Sequence, residues 1–224
     1  MTDWLAIGDP VTNAGAFNPS TTIDPTTIGN ILVMWGGLAT DGETEAPTPT
    51  GGGVDEWNLF PNDAIASGGG TIAAYIWFGV ITATGSTDVG LDGGITYVGF
   101  IVQEFQPPDG IMAWDTNFGM DTSDDTGPLL SGNVESTSPN GNDRLYVATV
   151  SQFGGTDNPL TGDSPGFTYD VVHDGGMLGI YTYDAESADS YSPNWSQESV
   201  GNYCDIAGFI GVAPPSTMQN VMVV

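Results

Sequence analysis

An internal repeat constrains the fold of this 224-residue chain more than any other feature. Three apolar segments occur twice, in the same order and at similar spacing. The pairs are GNILVMW at 29–35 with GNDRLYV at 141–147, TIAAYIWFGVIT at 71–82 with GMLGIYTYDAES at 176–187, and YVGFIVQEFQPP at 97–108 with IAGFIGVAPP at 206–215. Self-similarity at a fixed period indicates a duplicated unit. Chance similarity among β-rich segments is the alternative.

The repeated segments are typical of β-strands, because they are rich in β-branched and aromatic residues and are bounded by Gly, Pro and Asn. The passages between the first two segments of each half carry several turn signals and are predicted as surface loops. Helical spacing of apolar residues is almost absent. With further strands near 4–7, 111–114 and 129–134, the sequence predicts about nine strands in an all-β, antiparallel two-sheet sandwich of jelly-roll type with an internal duplication.

The length suits one large β domain or two smaller ones. We expect a single sandwich over residues 1–215, built of two similar halves at about 29–108 and 141–215, followed by a C-terminal tail at 216–224. Two tandem sandwiches are the alternative. They are less favoured because three or four strands in each half would leave poorly covered edges.

The charge balance limits the partners of this protein. Asp and Glu number 28 against a single Lys or Arg, which gives a formal net charge of −27. Such a surface repels phosphate backbones and anionic membranes, so we expect no nucleic-acid partner and no membrane insertion. Salt screens self-repulsion, with a Debye length of about 3 Å at 1 M. The composition therefore favours a saline environment, an ordinary acidic surface being the alternative.

Residues typical of catalysis are few, and we expect no enzyme activity. The one basic residue of the Lys and Arg type is Arg144, so no lysine is present to form a Schiff base. His173 ends a predicted strand without a nucleophile at a recognisable spacing. Glu104, in the apolar strand IVQEF, is the best candidate for a glycosidase acid, but its position predicts an outward polar face instead.

Arg144 stands at the entrance of a predicted strand, in the place that Leu32 takes in the first copy. We expect its stem to lie on apolar neighbours and its guanidinium to meet a carboxylate. The alternation that follows predicts Leu145 and Val147 on one face. A structural role is favoured over an anion-binding one.

The segment DTSDDTG at 121–127 is the one cluster with metal-ligand character. Asp121, Asp124 and Asp125 offer the hard oxygen donors that Ca²⁺ prefers. Their spacing does not match an EF-hand loop, and a solvated acidic loop is the alternative. No other cofactor is predicted.

The single cysteine, Cys204, precedes an apolar run and is predicted as a buried thiol outside any disulfide. The start MTDWLAIGDP has no basic n-region and no apolar h-region, and no stretch approaches 18 apolar residues. These features predict a chain made without a secretion signal, located in a virion released by lysis or in the cytoplasm of a halophile.

A family pattern recurs along the chain. Gly29-Asn30 precedes an apolar strand, a Pro- and Gly-rich loop leads to Trp57, and the aromatic strand 75–78 leads to a third strand that ends at Pro108, with a second round from Gly141. This order resembles β-sandwich structural proteins of tailed-virus virions and prophages. The second copy departs from it, with Phe167 and Tyr169 in place of the tryptophan.

The resemblance implies a non-enzymatic virion component, such as a capsid decoration, spike, tail or fibre protein. Its partners would be other virion proteins and further copies of itself, and no catalytic residue is transferred. A carbohydrate- or surface-binding module is the alternative, and it would expose an aromatic platform such as Trp57 or Trp195. A hydrolase is the third hypothesis.

The tail PPSTMQNVMVV is apolar beyond its prolines. It carries Met218, Val221, Met222, Val223 and Val224. We expect this segment to insert between subunits or onto a neighbouring virion protein by strand addition at a sheet edge. A frayed terminus and packing on its own sandwich are the alternatives.

Overall fold

All regular structure in the described part of the chain is β. The computed structural model describes residues 4–16, 18–40, 46–60, 64–67, 71–92, 98–108, 112–114, 119–123, 129–130, 134–135, 144–152, 161–162, 168–174, 176–185, 190–191, 194–196 and 203–212. Within these ranges every strand pairing is antiparallel. The same ranges contain no helix long and apolar enough to cross a membrane. The all-β, antiparallel prediction is confirmed.

The first half forms one large and one small sheet. Its strands are β1 (Leu5–Ala16), β2 (Ser20–Ile23), β3 (Ile31–Thr40), β4 (Thr48–Gly51), β5 (Val54–Leu59), β6 (Ala64–Ser67), β7 (Thr71–Ile81), β8 (Thr87–Asp92) and β9 (Val98–Gln106). The large sheet has the order β1-β9-β3-β7-β5, with β6 also paired to β7. The small sheet has the order β2-β8-β4.

The second half forms one large sheet of similar strand order and two smaller sheets. Its strands are β10 (Met112–Trp114), β11 (Gly119–Ser123), β12 (Leu129–Leu130), β13 (Val134–Glu135), β14 (Arg144–Gln152), β15 (Thr161–Gly162), β16 (Thr168–Asp174), β17 (Gly176–Ala185), β18 (Ser190–Tyr191), β19 (Asn194–Ser196) and β20 (Tyr203–Val212). The large sheet has the order β10-β20-β14-β17-β16, with β11 also on β20. The small sheet has the order β12-β19-β15, and β13 pairs with β18.

The predicted count of about nine strands is wrong, because twenty are present in the described part. Some of the missed strands, β4, β15 and the beginnings of β5 and β16, lie in the Gly-, Pro- and Thr-rich passages for which the sequence predicts loops. The side chains of β4 and β5 are mostly exposed. Their apolar content is therefore too low to mark them as strands by sequence pattern.

Both large sheets contain the same irregularity in their first strand. Between the pairs Ile7↔Glu104 and Val11↔Val102, β1 advances four residues while β9 recedes two. Between Trp114↔Ile210 and Gly119↔Ala207, the second half advances five residues while β20 recedes three. The excess is two residues in both cases, so β10 and β11 together correspond to β1.

Glycine and a buried amide hold this irregularity in the first half. Gly8 has a φ of 68°, a conformation that glycine adopts without strain. The side chain of Gln103 is buried and its Nε2 donates a hydrogen bond to the Gly8 carbonyl at 3.2 Å. The polar group of Gln103 is therefore used inside the fold.

The alignment of the second repeated segment was out of register. Ile72 and Ile76 of β7 and Leu178 and Ile180 of β17 face the same core cluster, and all four positions are even-numbered. Pairing residue 71 with residue 176 couples odd positions with even ones. A strand shifted by an odd number of residues presents its opposite face, so that sequence alignment is wrong by an odd number.

Two hydrophobic clusters occupy the described structure. The larger lies between the two large sheets and draws on both halves, including Val33, Trp35 and Ile76 with Val147, Ile180 and Ile206. The second lies between the large and small sheets of the first half, including Leu32, Met34 and Trp77 with Ile23, Val89 and Leu91. The two large sheets thus pack face to face as in a sandwich, and the first half has an additional core of its own.

Candidate functional site: the face between the halves

The strands of the two large sheets touch each other in reciprocal pairs. β7 lies against β14 as β17 lies against β3, and β7 lies against β20 as β17 lies against β9. Farther out, β6 meets β20 and β11, while β16 meets β9 and β1. The strands β3 and β14, which hold equivalent places in the two sheets, touch each other directly. This is the pattern of an isologous contact, in which the same patch is used on both sides.

Glycines allow the two sheets to approach closely at two points. A Cβ on Gly37 of β3 would lie 2.9 Å from Ser151 Oγ and 3.1 Å from Leu178 Cδ1, both in the second half. A Cβ on Gly208 of β20 would lie on the ring of Phe60, nearer than 3.0 Å. Because real Cβ atoms essentially never come closer than 3.0 Å, a residue larger than glycine at either position requires the facing side chain, Ser151 or Phe60, to shift.

Aromatic rings fill one side of this face. Trp114 of β10 stands edge-on to Phe60 and to Phe78 of the first half, with ring centroids 4.9 Å apart in both pairs. Such T-shaped pairs add about 0.5–1.5 kcal/mol each to the burial itself. The indole nitrogen of Trp114 is buried and has no hydrogen-bond partner in the described structure. Apolar burial and ring packing therefore contribute to this face.

Glu104 is buried, which corrects the prediction of an outward polar face. Its carboxylate accepts hydrogen bonds from the backbone N–H and the hydroxyl of Thr26, both at 2.9 Å, and from Asn30 Nδ2 at 2.6 Å. The turn that contains these donors is itself tied to β7, since Gly29 N donates to Ile81 O at 3.0 Å. The turn covers Glu104 and uses its oxygens as an anchor.

Arg144 begins β14 and lies opposite Ala185 and Gly211 in the ladder. A Cβ on Gly211 would be 3.1 Å from Arg144 Cγ and 3.3 Å from Arg144 Nε. The aliphatic part of the arginine side chain therefore packs over Gly211, which has no side chain. Leu145 and Val147 both face the cluster between the sheets, as the alternation predicted.

The predicted cation site falls mostly outside the described residues. Asp124 and Asp125 lie outside them, and of Asp121 only the backbone is described, paired with Asp205 in the β11–β20 ladder. Among the described side chains, no three potential ligands gather at one place. The Ca²⁺ site therefore stays a prediction.

Sequence reasoning missed Asp205, which is fully buried. It lies between Cys204 and Ile206, both of which face the core between the sheets. Strand alternation therefore places Asp205 on the other face of β20. Alternation alone predicts a solvated carboxylate there, so no local sequence signal marks its burial.

The structure places the three remaining candidate residues, His173, Trp57 and Trp195, in different strands. His173 lies in β16 opposite Met177, and its side chain is outside the description. Trp57 is half-buried and packs on the small-sheet core, so it does not form an exposed platform. Trp195 lies in β19 opposite Leu129, again without a described side chain.

Cys204 is buried and forms no disulfide, so its prediction is confirmed. The tail residues Met218 and 221–224 lie outside the described residues. Their role in assembly stays a prediction.

No protein-family model, curated protein or solved structure matches this chain.

Proposed function

We propose that this protein is a non-enzymatic structural component of a virion, such as a capsid decoration, spike, tail or fibre protein, that works by protein–protein assembly in a saline environment. The observation that carries the proposal is the strand order repeated in both halves. It supports an internally duplicated fold of the jelly-roll type, which is common in viral capsid and lectin domains. The step from fold to role is an analogy.

The jelly-roll interpretation follows from the order of strands in the first half. Counting β5 and β6 as one interrupted strand gives eight strands, with 1-8-3-6 in the large sheet and 2-7-4 in the small one. A jelly roll divides eight strands in this way, with strand 5 beside strand 4. Here strand 5 pairs with strand 6 instead, which widens the large sheet that meets the other half.

The placement of the acidic side chains supports the saline part of the proposal. Asp9, Asp24, Asp55, Glu56 and Asp88 are all exposed on the first half. With one Arg and no Lys in the chain, these carboxylates depend on screening or bound cations to offset their repulsion. Molar salt supplies both, in a virion from a salt-rich habitat or in the cytoplasm of a halophile.

A carbohydrate- or surface-binding module is the second candidate, because lectin domains use the same strand arrangement. The burial of Trp57 removes one of its two predicted platforms. Binding to a glycan array in molar salt, lost on substitution of Trp195 by Ala, would favour this candidate.

Peptide mass spectrometry of purified virus particles tests the main proposal. We expect the chain to co-purify with particles through a density gradient at a constant ratio to the major capsid protein. Recovery only in the soluble fraction of the lysate would contradict a virion role.

A further inference from the structure

We propose that two copies of this chain associate by exchanging halves, so that the first half of each copy packs on the second half of the other. The partner is a second copy of this chain, and the surface is the inner face of each large sheet. The inference goes beyond the proposed function, since it applies whether or not the protein belongs to a particle.

The first observation is the reciprocity of the contact between the halves. The principal contacts of first-half strands with second-half strands, β7 with β14 and β20 and β6 with β20 and β11, each have a counterpart in which the roles of the halves are reversed. A twofold contact of this kind depends only on the two faces that meet. It forms equally well when the two sheets belong to one chain or to two.

The second observation is that no strand pairing crosses between the halves anywhere in the described structure. Every sheet draws its strands from one half alone. The halves meet through side chains of the shared cluster, and five residues join the end of β9 at Gln106 to the start of β10 at Met112. Exchange therefore preserves every described ladder and changes only the path of this connection.

The sequence of the connection and mass action set the conditions for exchange. The connection begins with Pro107 and Pro108, and a short hinge loop invites exchange when closure within one chain strains it. Association of two chains is favoured by high protein concentration. We therefore expect the exchanged dimer after refolding at high concentration and the closed monomer after refolding at low concentration.

Cleavage of the connection distinguishes an exchanged dimer from an ordinary one. A protease site is inserted after Pro108 in the full chain, which is refolded in molar salt at several concentrations. Its mass is measured by light scattering before and after cleavage. An exchanged dimer falls to half its mass on cleavage, because each packed pair of halves is then independent. A dimer that keeps its mass, or a monomer at every concentration, would overturn the proposal.

A disulfide across the face provides a second test. A Cβ built on Gly37 lies 3.3 Å from Ser151 Cβ, near the spacing of about 3.5–4.5 Å found in disulfides. Gly37→Cys with Ser151→Cys, in a Cys204→Ala background, should run at twice the chain mass on a non-reducing gel of the dimer fraction. Covalent monomer alone from that fraction would refute exchange.

A matched pair within the first half controls for chance cross-linking. Thr22 and Asp88 are paired in the β2–β8 ladder, with Thr22 Oγ1 donating to Asp88 Oδ1 at 3.2 Å. Thr22→Cys with Asp88→Cys, in the same background, should run at the mass of one chain in both the monomer and the dimer fractions. A doubled mass for this pair would show random oxidation between chains.

Discussion

Replacing Gly51 by alanine tests how tightly the small sheet of the first half is joined to the strand that follows it. Gly51, Gly52 and Gly53 are consecutive residues with φ near 70°, and they connect β4 to β5. Gly52 N donates to the Asp88 carbonyl oxygen at 2.9 Å. A Cβ on Gly51 would collide with that same oxygen, well inside 3.0 Å.

Gly8→Ala is the matched control. Gly8 has a φ of 68° against 72° for Gly51, but a Cβ at position 8 meets nothing within 4 Å. Both variants carry the left-handed strain of about 1–2 kcal/mol. Both also gain about 0.4–1 kcal/mol from the stiffer unfolded chain. The difference between them therefore isolates the collision with Asp88.

The collision forces β4 away from β8 and breaks the bond from Gly52 to Asp88. Losing this hydrogen bond and leaving the N–H of the buried Gly52 unsatisfied costs about 1–3 kcal/mol. We therefore expect Gly8→Ala to lower the free energy of unfolding by about 1 kcal/mol and Gly51→Ala to lower it by about 3 kcal/mol or more. Guanidinium unfolding followed by tryptophan fluorescence in molar salt measures both. An equal decrease in the free energy of unfolding in the two variants would show that the collision with Asp88 adds nothing.

Three further predictions concern charge, the buried carboxylate and the tail. The melting temperature should rise markedly between roughly 0.05 and 2 M KCl, because salt screens the repulsion between carboxylates. An unchanged melting temperature would contradict the proposed saline environment. Glu104→Ala should lower the free energy of unfolding by about 3 kcal/mol in chemical denaturation, because the donors of Thr26 and Asn30 lose their acceptor. Gln106 is exposed on the same strand, and Gln106→Ala should change the free energy of unfolding by no more than about 0.5 kcal/mol. Deleting residues 216–224 should leave the melting temperature unchanged and abolish incorporation into particles; incorporation equal to that of the full chain would make the tail dispensable.

The features that sequence predicted correctly are those with a strong local signal. Gly- and Pro-interrupted apolar segments leave no room for helices, so the all-β class was accessible. The apolar run after Cys204 placed that thiol in the core. Period-2 alternation likewise placed Leu145 and Val147 on one face. Each inference needs only a few neighbouring residues.

The features that sequence did not predict depend on contacts between distant segments. Glu104 is buried because Thr26 and Asn30, more than 70 positions away, supply donors above it. The strands β4 and β5 exist because β8 and β7 offer ladder partners, not because their own residues are apolar. The odd-numbered error in aligning β7 with β17 has no sequence signature, since both segments contain apolar residues at odd and even positions.

The confinement of every described ladder to one half also sets how the molecule responds to mechanical load. Leu5 pairs with Gln106 and Met112 pairs with Val212, so tension between Leu5 and Val212 crosses the end of one ladder in each half and the five-residue connection between them. No described ladder spans the connection, so each half is loaded through its own end pair. Because an antiparallel ladder loaded at its end opens one backbone bond at a time, the two halves unzip separately and neither protects the other.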